Sequence, residues 1–513
     1  DRANRSDPVA RSCRTLAVGH GEKVGVLMPN RLEYVALLIA TAKLGAIAVP
    51  INARFKTEEL GYVIEHADIK VLVTCAATLE GTDYPALISQ GLSDLGKNMS
   101  GPQQLKEAPA LRWLVDIGGD SPGFLTRSEF DAAADKTTLD EVKTLQQRVL
   151  VRDIAFIVYT SGTTSRPKGC MLTHESVVRH SHNVASTRFL LTGVDRFWNP
   201  LPLFHCGGLM PMLGCFSVGA AFCHPGHFDA GAALEMLENE HITVAYPAFE
   251  TIWSAVINHP RFEDTDFSHL RLMQNIATPE RLMQFEARMP GVKQVSSYGS
   301  TECASNLTLP HPDDPYDIRM KTLGQPLAGM EIKIIHPETG QDLASDEVGE
   351  LCFRGYSRFD GYYKDPEQTA VTIDKDGWFH TGDLGSVDQD GNLIYSGRLK
   401  DMLKVGGENV SALEVEDYLA RHPAIGIAQV VGVNDARYSE VPVAFIQLKP
   451  GETATAKDII SFCHGSIATY KVPRYVRFVE DWPMSGTKIQ KFVLRQQIAK
   501  ELADLGIDEA PKL

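Results

Sequence analysis

Short apolar runs alternate with longer stretches of helical spacing over the first part of the chain. Val24-Gly25-Val26-Leu27-Met28 reads as a strand, residues 31–44 as a helix and Ala46-Ile47-Ala48-Val49-Pro50 as a second strand. A helix over residues 57–66 precedes a third strand, Val71-Leu72-Val73-Thr74. Strands that alternate with helices in this way predict a parallel sheet covered by helices. Residues 76–110 carry no clear period and predict an irregular excursion.

The alternation resumes at 154–158, an apolar run that reads as a buried strand, and residues 170–178 read as a short connection entering a helix. Residues 196–202 then lead to Leu203-Phe204-His205-Cys206-Gly207-Gly208, an apolar helix and a strand near 220–224. Helices at 228–239, 250–258 and 279–288 alternate with strands at 243–246, 270–275 and 292–296. From about residue 324 the texture changes to short strands with Gly/Asp turns, at 331–335, 349–354 and 393–396, a small β-rich subdomain. Gly397-Arg398-Leu399-Lys400-Asp401 is a short, densely charged joint. Beyond it, Ser411-Ala412-Leu413-Glu414 has the pattern of a capping box and opens a helix over 411–421. Strands at 427–433, 441–449 and 475–479, with a helix at 456–464, complete an α+β unit able to fold alone. The predicted fold is therefore α/β. A large N-terminal domain of layered subdomains, residues 1–397, is joined by a hinge at 398–401 to a small mobile α+β domain, residues 402–513.

Composition narrows the classes. A chain of 513 residues exceeds what one hydrophobic core organises. Hydrophobic content of 43% with 22% charged residues is that of a soluble globular protein. A formal charge of −15 argues against nucleic acid or an anionic membrane as the main partner. The nine cysteines show neither C-x-x-C pairs nor zinc spacing, so reduced thiols in a cytoplasmic enzyme are expected. The apolar run 209–223 is broken by Pro211, Gly214 and Gly219, too short to span a bilayer, and no transmembrane segment is predicted. The chain opens without Met on the polar segment 1–7.

The candidate chemistry centres on Thr160-Ser161-Gly162-Thr163-Thr164, followed by Ser165-Arg166-Pro167-Lys168-Gly169. Backbone N–H groups, hydroxyls and two cations in one loop suit a polyphosphate, and the glycines let the main chain approach it. An ordinary Ser/Thr-rich surface loop has the same composition, and the P-loop pattern is not matched. Tyr298-Gly299-Ser300-Thr301-Glu302 puts an aromatic face, a hydroxyl and a carboxylate on one turn, and a carboxylate suits a hard cation. Trp378-Phe379-His380-Thr381-Gly382-Asp383, Val405-Gly406-Gly407-Glu408-Asn409 and Trp482-Pro483-Met484-Ser485-Gly486-Thr487-Lys488-Ile489-Gln490-Lys491 are the other distinctive stretches.

From about residue 24 to 495 these stretches, in this order, resemble the adenylate-forming superfamily: acyl-CoA synthetases, luciferases and peptide-synthetase adenylation domains. The resemblance is closest to acyl-CoA ligases. It implies that Thr160, Ser161, Gly162, Thr163, Thr164 and Lys168 hold the phosphates of ATP. Tyr298 would stack on adenine beside Gly299 and Ala277, Thr301 would touch the phosphate, and Glu302 would carry Mg2+. Asp383 and Arg398 would hold the ribose, and Lys488 would bridge the substrate carboxylate and the α-phosphate. His205, at the edge of the acyl pocket, would act on the carboxylate. Phe204, Cys206, Gly207, Phe249, Ala277 and Thr278 would line that pocket, with Tyr246, and their mix of small and aromatic side chains suits an apolar acid. Lys400 would be the hinge, and Gly406 and Gly407 would line a tunnel for coenzyme A. Gly349-Glu350, Arg354-Gly355 and Gly361-Tyr362-Tyr363 match a motif read as mainly structural.

The chain departs from the superfamily's pattern in four places. Ser165 stands where Gly is usual, Ala277-Thr278-Pro279 where Gly-Gly-Ala-Pro is common, Ser411-Ala412 where Tyr-Pro is frequent, and Gly486-Thr487-Lys488 where Thr-Gly-Lys is usual. Beside the superfamily's usual length, a stretch at the start is expected to be missing. The function implied is an ATP-dependent carboxylic acid–CoA ligase that forms an acyl-adenylate, releases pyrophosphate and passes the acyl group to coenzyme A. Loading of a carrier protein and a weakly catalytic acyl or nucleotide sensor are the alternatives, and a homodimer is among the assemblies left open.

Overall fold

The computed structural model describes residues 2–76, 81–92, 94–95, 102–160, 167–405, 408–485 and 488–512. Its first sheet has the strands β1 (Lys23–Leu27), β2 (Ile47–Pro50), β3 (Ile69–Thr74), β4 (Trp113–Asp116), β5 (Leu125–Thr126), β6 (Ile154–Thr160) and β7 (Lys168–Thr173). They lie in the order β5-β4-β3-β1-β2-β6-β7, parallel as far as β6, with β7 antiparallel at the edge. Alternate residues feed two cores: Val24, Val26, Val71 and Val73 pack on one face, Leu27, Val49, Leu72 and Ile157 on the other. A sheet buried on both faces explains why these strands read as unbroken apolar runs.

Helices α1 (Arg2–Thr15), α2 (Leu32–Lys43), α3 (Thr57–His66), α4 (Tyr84–Gly91), α5 (Arg127–Ala133) and α6 (Leu139–Gln146) accompany this sheet. The polar opening of the chain is thus part of a helix, whose Ala10 and Cys13 are buried. The expectation of an irregular 76–110 is also corrected in part. Asp83 caps α4, its side chain accepting from Ala86 N at 2.9 Å. Gly61 and Gly91 let α3 and α4 touch at the backbone, since a Cβ on Gly61 would lie 3.1 Å from the Gly91 carbonyl oxygen. A helix this short has too few turns for its period to show in sequence.

The second sheet comprises β8 (Arg196–Trp198), β9 (Ala221–Cys223), β10 (Val244–Phe249), β11 (Leu272–Ile276) and β12 (Lys293–Val295), all parallel in the order β12-β11-β10-β8-β9. Helices α7 (His174–Thr187) and α8 (Cys206–Val218) pack against each other beside it. A hairpin of β13 (Tyr298–Ser300) and β14 (Ser305–Thr308) follows. The β-rich part is an antiparallel sheet of β15 (Met330–Ile335), β16 (Gly349–Gly355), β17 (Phe379–Val387) and β18 (Leu393–Arg398).

The separate C-terminal domain has strands β19 (Met402–Val405), β20 (Glu408–Ser411), β21 (Ile425–Asp435), β22 (Ser439–Leu448) and β23 (Tyr475–Phe478). Strict alternation along β22 sends Ala444 and Ile446 to one core and Val443 and Phe445 to another, under the terminal helix Lys491–Asp504. Full burial of such side chains contributes about 1.5–3 kcal/mol each. Ser411 caps its helix, accepting from Glu414 N at 3.4 Å, but the reciprocal half of the predicted box is replaced: Glu414 pairs with Lys471. A short hairpin of β24 (Met484–Ser485) and β25 (Lys488–Ile489) lies before the terminal helix.

Candidate active site

In an open parallel sheet the strand ends offer the next loops as one cluster, and ligands bind at the carboxyl ends. Here β8 runs into the segment holding Phe204, His205 and Gly207, and β10 ends at Phe249. β11 runs into Ala277 and Thr278, and β12 into Tyr298, Thr301 and Glu302. Residues far apart in sequence therefore gather along one edge.

The turn after β13 is built under strain. A Cβ on Gly299 would lie 1.6 Å from the Ser305 carbonyl oxygen, so only glycine lets β13 and β14 close. Ala304 and Ser305 hold φ of +61° and +117°, left-handed values that non-glycine residues rarely adopt. The turn presents Thr301 towards α8, where it favours the ionised form of the buried Cys206 thiol. Burial pushes the Cys206 thiol pKa up, which keeps it a neutral contact rather than a nucleophile.

Tyr298 is buried, and its phenol donates to Asp383 Oδ2 at 2.6 Å. Asp383 and Arg398 are cross-strand partners on β17 and β18, with Arg398 Nε 3.2 Å from Asp383 Oδ1. Burial and the Asp383 charge raise the Tyr298 pKa well above a phenol's ordinary value, so it stays a donor. Burial opposes the charge on Arg398, but Asp383, Tyr395 and Asp401 outweigh it and raise its pKa. Beneath Asp383, Glu350 Oε1 accepts from Gly382 N at 3.0 Å and Oε2 lies 3.4 Å from His380 Nδ1. Glu350, Cys352 and His380 offer ligand atoms within 4.8 Å of one another, but these hydrogen bonds already account for the clustering.

Tyr362, in the motif read as mainly structural, lies against the Thr301 turn. Its phenol donates to Glu302 Oε1 at 3.0 Å, and Lys168 Nζ lies 5.2 Å from its ring centroid. Burial and the nearby Glu302 raise its pKa. The ring thus stands between Lys168, at the start of β7, and the acid of the Thr301 turn. Its segment is stitched to the first sheet, with Tyr363 N donating to Gly169 O and Met171 N to Gly361 O. Residues 170–178 are not a mere connection into a helix: Lys168–Thr173 is the strand β7, paired with β6, and α7 begins only at His174. Thr160 and Lys168 close that hairpin as partners, and between them Ser161, Gly162, Thr163, Thr164 and Ser165 lie outside the described residues.

The His205 ring sits 4.6 Å from that of Phe204 at the start of α8. Asn199 Nδ2 donates to Gly207 O at 2.8 Å, and Asn30 Oδ1 accepts from Leu203 N at 2.8 Å. His224, which burial lowers to about 4, donates to Leu201 O at 3.0 Å. Asn30, Asn199 and His224 hold the segment that carries Phe204 and His205, and nothing in their local sequence marks them. The Thr278 hydroxyl is engaged elsewhere, capping the helix Pro279–Arg288 by accepting from Arg281 N at 3.4 Å. Lys400 lies in the turn between the domains, its pKa lowered by burial and by Arg398. Lys488 pairs through its main chain with Ser485. Its side chain, and Gly406 and Gly407, fall outside the described residues.

Residues 2–363 match the family model of the AMP-binding enzymes, and residues 414–488 that of the AMP-binding enzyme C-terminal domain. The chain belongs to the AMP-binding enzyme family. Within the adenylate-forming superfamily it stands near the acyl-CoA synthetases. It is 36% identical over 494 residues to YngI of Bacillus subtilis (strain 168), covering 95% of this chain and 89% of that protein. It is 32% identical over 507 residues to the mitochondrial medium-chain acyl-CoA ligase ACSF2 of Rattus norvegicus, covering 97% of this chain and 82% of that protein. The anthranilate CoA ligase AuaEII in complex with anthranoyl-AMP superposes with a TM-score of 0.84 at 28% identity, covering 98% of this chain and 92% of that one. No helix among the described residues is long and apolar enough to cross a membrane.

Proposed function

We propose that this acid–thiol ligase activates an apolar carboxylic acid with ATP and transfers the acyl group to coenzyme A. A substrate carboxylate oxygen attacks the α-phosphorus, the bond to the β-phosphate oxygen breaks, and pyrophosphate leaves. The thiol of coenzyme A then attacks the acyl carbon, its proton is released, and AMP departs. The observation that carries this reading is the meeting of Thr301 and Glu302 with Cys206, at the start of α8, and with Tyr362, which Lys168 faces. ACSF2 and AuaEII, each named as an acid–CoA ligase, support the same chemistry.

In this reading Asp383 and Arg398 hold the ribose, with Tyr298 against the adenine. Gly299 and Ala277 lie beside the nucleotide. Thr160, the loop 161–164, Lys168 and Thr301 hold the phosphates. Lys488 and His205 meet the carboxylate, and Phe204, Cys206, Gly207, Phe249, Ala277 and Thr278 surround the chain. Glu302 is only partly buried and accepts from the neutral phenol of Tyr362, which fits a carboxylate that holds a hard cation. Mg2+ held there would offset phosphate charge. Lys400 is the hinge about which residues 402–513 turn between the half-reactions, and Gly406 and Gly407 line the thiol path.

Pyrophosphate release across aliphatic, aromatic and steroid-like acids, with and without coenzyme A, tests the proposal. Release on one class, with matching thioester, is expected, and release unchanged by coenzyme A but dependent on a carrier protein would overturn the acceptor. Lys488→Ala is expected to abolish adenylate formation while sparing thioester formation from a supplied acyl-adenylate, and equal loss of both steps would sink the assignment of Lys488.

A further inference from the structure

Between α7 and α8 lies a cavity of about 10 Å³, space for one water-sized group. His180, Ser181, Val184, Met210, Gly214 and Asn306 are among the residues lining it, and no charged side chain does. His180 has no exposed surface, and neither of its ring nitrogens has a hydrogen-bond partner among the described residues. Its nearest ring neighbour, Tyr356, is 6.4 Å away by centroids. An imidazole buried with both nitrogens unpaired destabilises the fold, because each has given up its bond to water and gained none in return. A group entering the cavity that donates or accepts a hydrogen bond would recover that loss. Burial lowers its pKa to about 3, so the ring is neutral, with one nitrogen donating and the other accepting.

The place of the cavity ties it to the acyl side. Met210 lies four residues beyond Cys206 on α8, one turn or about 6 Å along the helix. Asn306 accepts from Tyr246 Oη at 3.5 Å and from Ser305 Oγ at 2.9 Å, and donates to Ser297. Each of its polar atoms has a partner, and Ser181 Oγ donates to Met210 Sδ at 3.6 Å, so the His180 imidazole is the polar group lining the cavity that has no partner among the described residues. Gly214 sets the width, because a Cβ there would come within 2.8 Å of the Ser181 carbonyl oxygen and force the helices apart.

We propose that His180 reads the far end of the acyl substrate, so that this enzyme takes an otherwise apolar acid carrying one uncharged hydrogen-bonding group, a hydroxyl or an oxo oxygen, distant from its carboxylate. A second carboxylate is excluded, since it would be a buried charge with no cation to meet it. A plain alkyl end leaves the imidazole unpaired. The inference deepens the acid–CoA ligase reading and rests on its placing of the acyl chain along α8.

The test compares aliphatic acids of matched length: unsubstituted, with a hydroxyl moved stepwise towards the far end, and with a terminal second carboxylate. Binding is measured by calorimetry with AMP present, and pyrophosphate release in parallel. The native enzyme is expected to bind one hydroxy acid at least tenfold more tightly than its alkyl counterpart and to reject the diacid. His180→Leu is expected to erase the preference, and His180→Asn, which keeps a donor and an acceptor, to retain part of it. Equal binding of alkyl and hydroxy acids by the native enzyme overturns the proposal, as does a preference that survives His180→Leu. A binding preference without pyrophosphate release from any acid would refute the ligase reading and uphold the assignment of His180.

Discussion

At Asp383 one buried carboxylate meets a phenol from Tyr298 and a guanidinium from Arg398, and the Gly382 N–H beside it is held by Glu350. At His180 a buried imidazole faces a cavity with neither nitrogen paired among the described residues. In the proposed reading the first arrangement is held in position before a ligand arrives, and the second is paired by one. A nucleotide has fixed functional groups, so its side of the site gains from partners already in position. Acids differ at the end remote from the carboxylate, so discrimination there rests on a group left unpaired until the right substrate pairs it.

The comparison is broken most directly at Asp383. Asp383→Ala removes a charged acceptor and leaves the Tyr298 phenol buried without it. With about 1.5–3 kcal/mol for each charge-assisted bond, kcat/KM for ATP is expected to fall by roughly 100-fold, by the same factor for every acid. A loss that varied with the acid would mean the two sides are not separable.

Tyr362→Phe keeps the ring beside Lys168 and deletes only the bond to Glu302. A fall of about tenfold in kcat/KM for ATP, with a higher Mg2+ requirement and unchanged acid KM, is expected for one charge-assisted hydrogen bond. A change in acid KM alone would place Tyr362 on the wrong side of the comparison.

The smallest effect is on stability against pH. His224 and His180 sit near pKa values of about 4 and about 3, below the ordinary 6.5. The unfolded chain binds protons that the fold refuses, so stability is intact above about 6.5 and falls as pH drops towards 4, by about 1.4 kcal/mol per pH unit for each histidine. Calorimetric melting between pH 7 and pH 5 should show a slope that His224→Gln lowers by about 1.4 kcal/mol per pH unit. An unchanged slope would show that these imidazoles do not carry the dependence.

Legibility follows the range of the interaction involved. Strands such as 154–158 and the first six residues of 441–449 are readable because burial on both faces leaves unbroken apolar runs. Tyr298, Asp383 and Arg398 stand out by their motifs, and the structure joins the three by a hydrogen bond and an ion pair on Asp383. α4 escapes a reading by period because its stop signals sit in a stretch with little of it. Lys168–Thr173 reads as a connection because the strand is short and its partner is its own neighbour. Asn30, Asn199 and His224 are invisible in sequence, since a lone Asn or His acquires its role only when the 199–205 loop lies against it.

By itself, then, the sequence determined which residue types are present, the α/β rhythm, the charged joint at 397–401 and the order of the motifs. These are properties of local period and of spacing along one chain. Tertiary structure alone decided that Tyr362 would reach Glu302, that Cys206 would meet Thr301, and that His180 would be buried without a partner among the described residues. Each of those depends on which strand ends and helix faces come together. That is set by the burial of two sheets at once, and no single stretch of the chain encodes it.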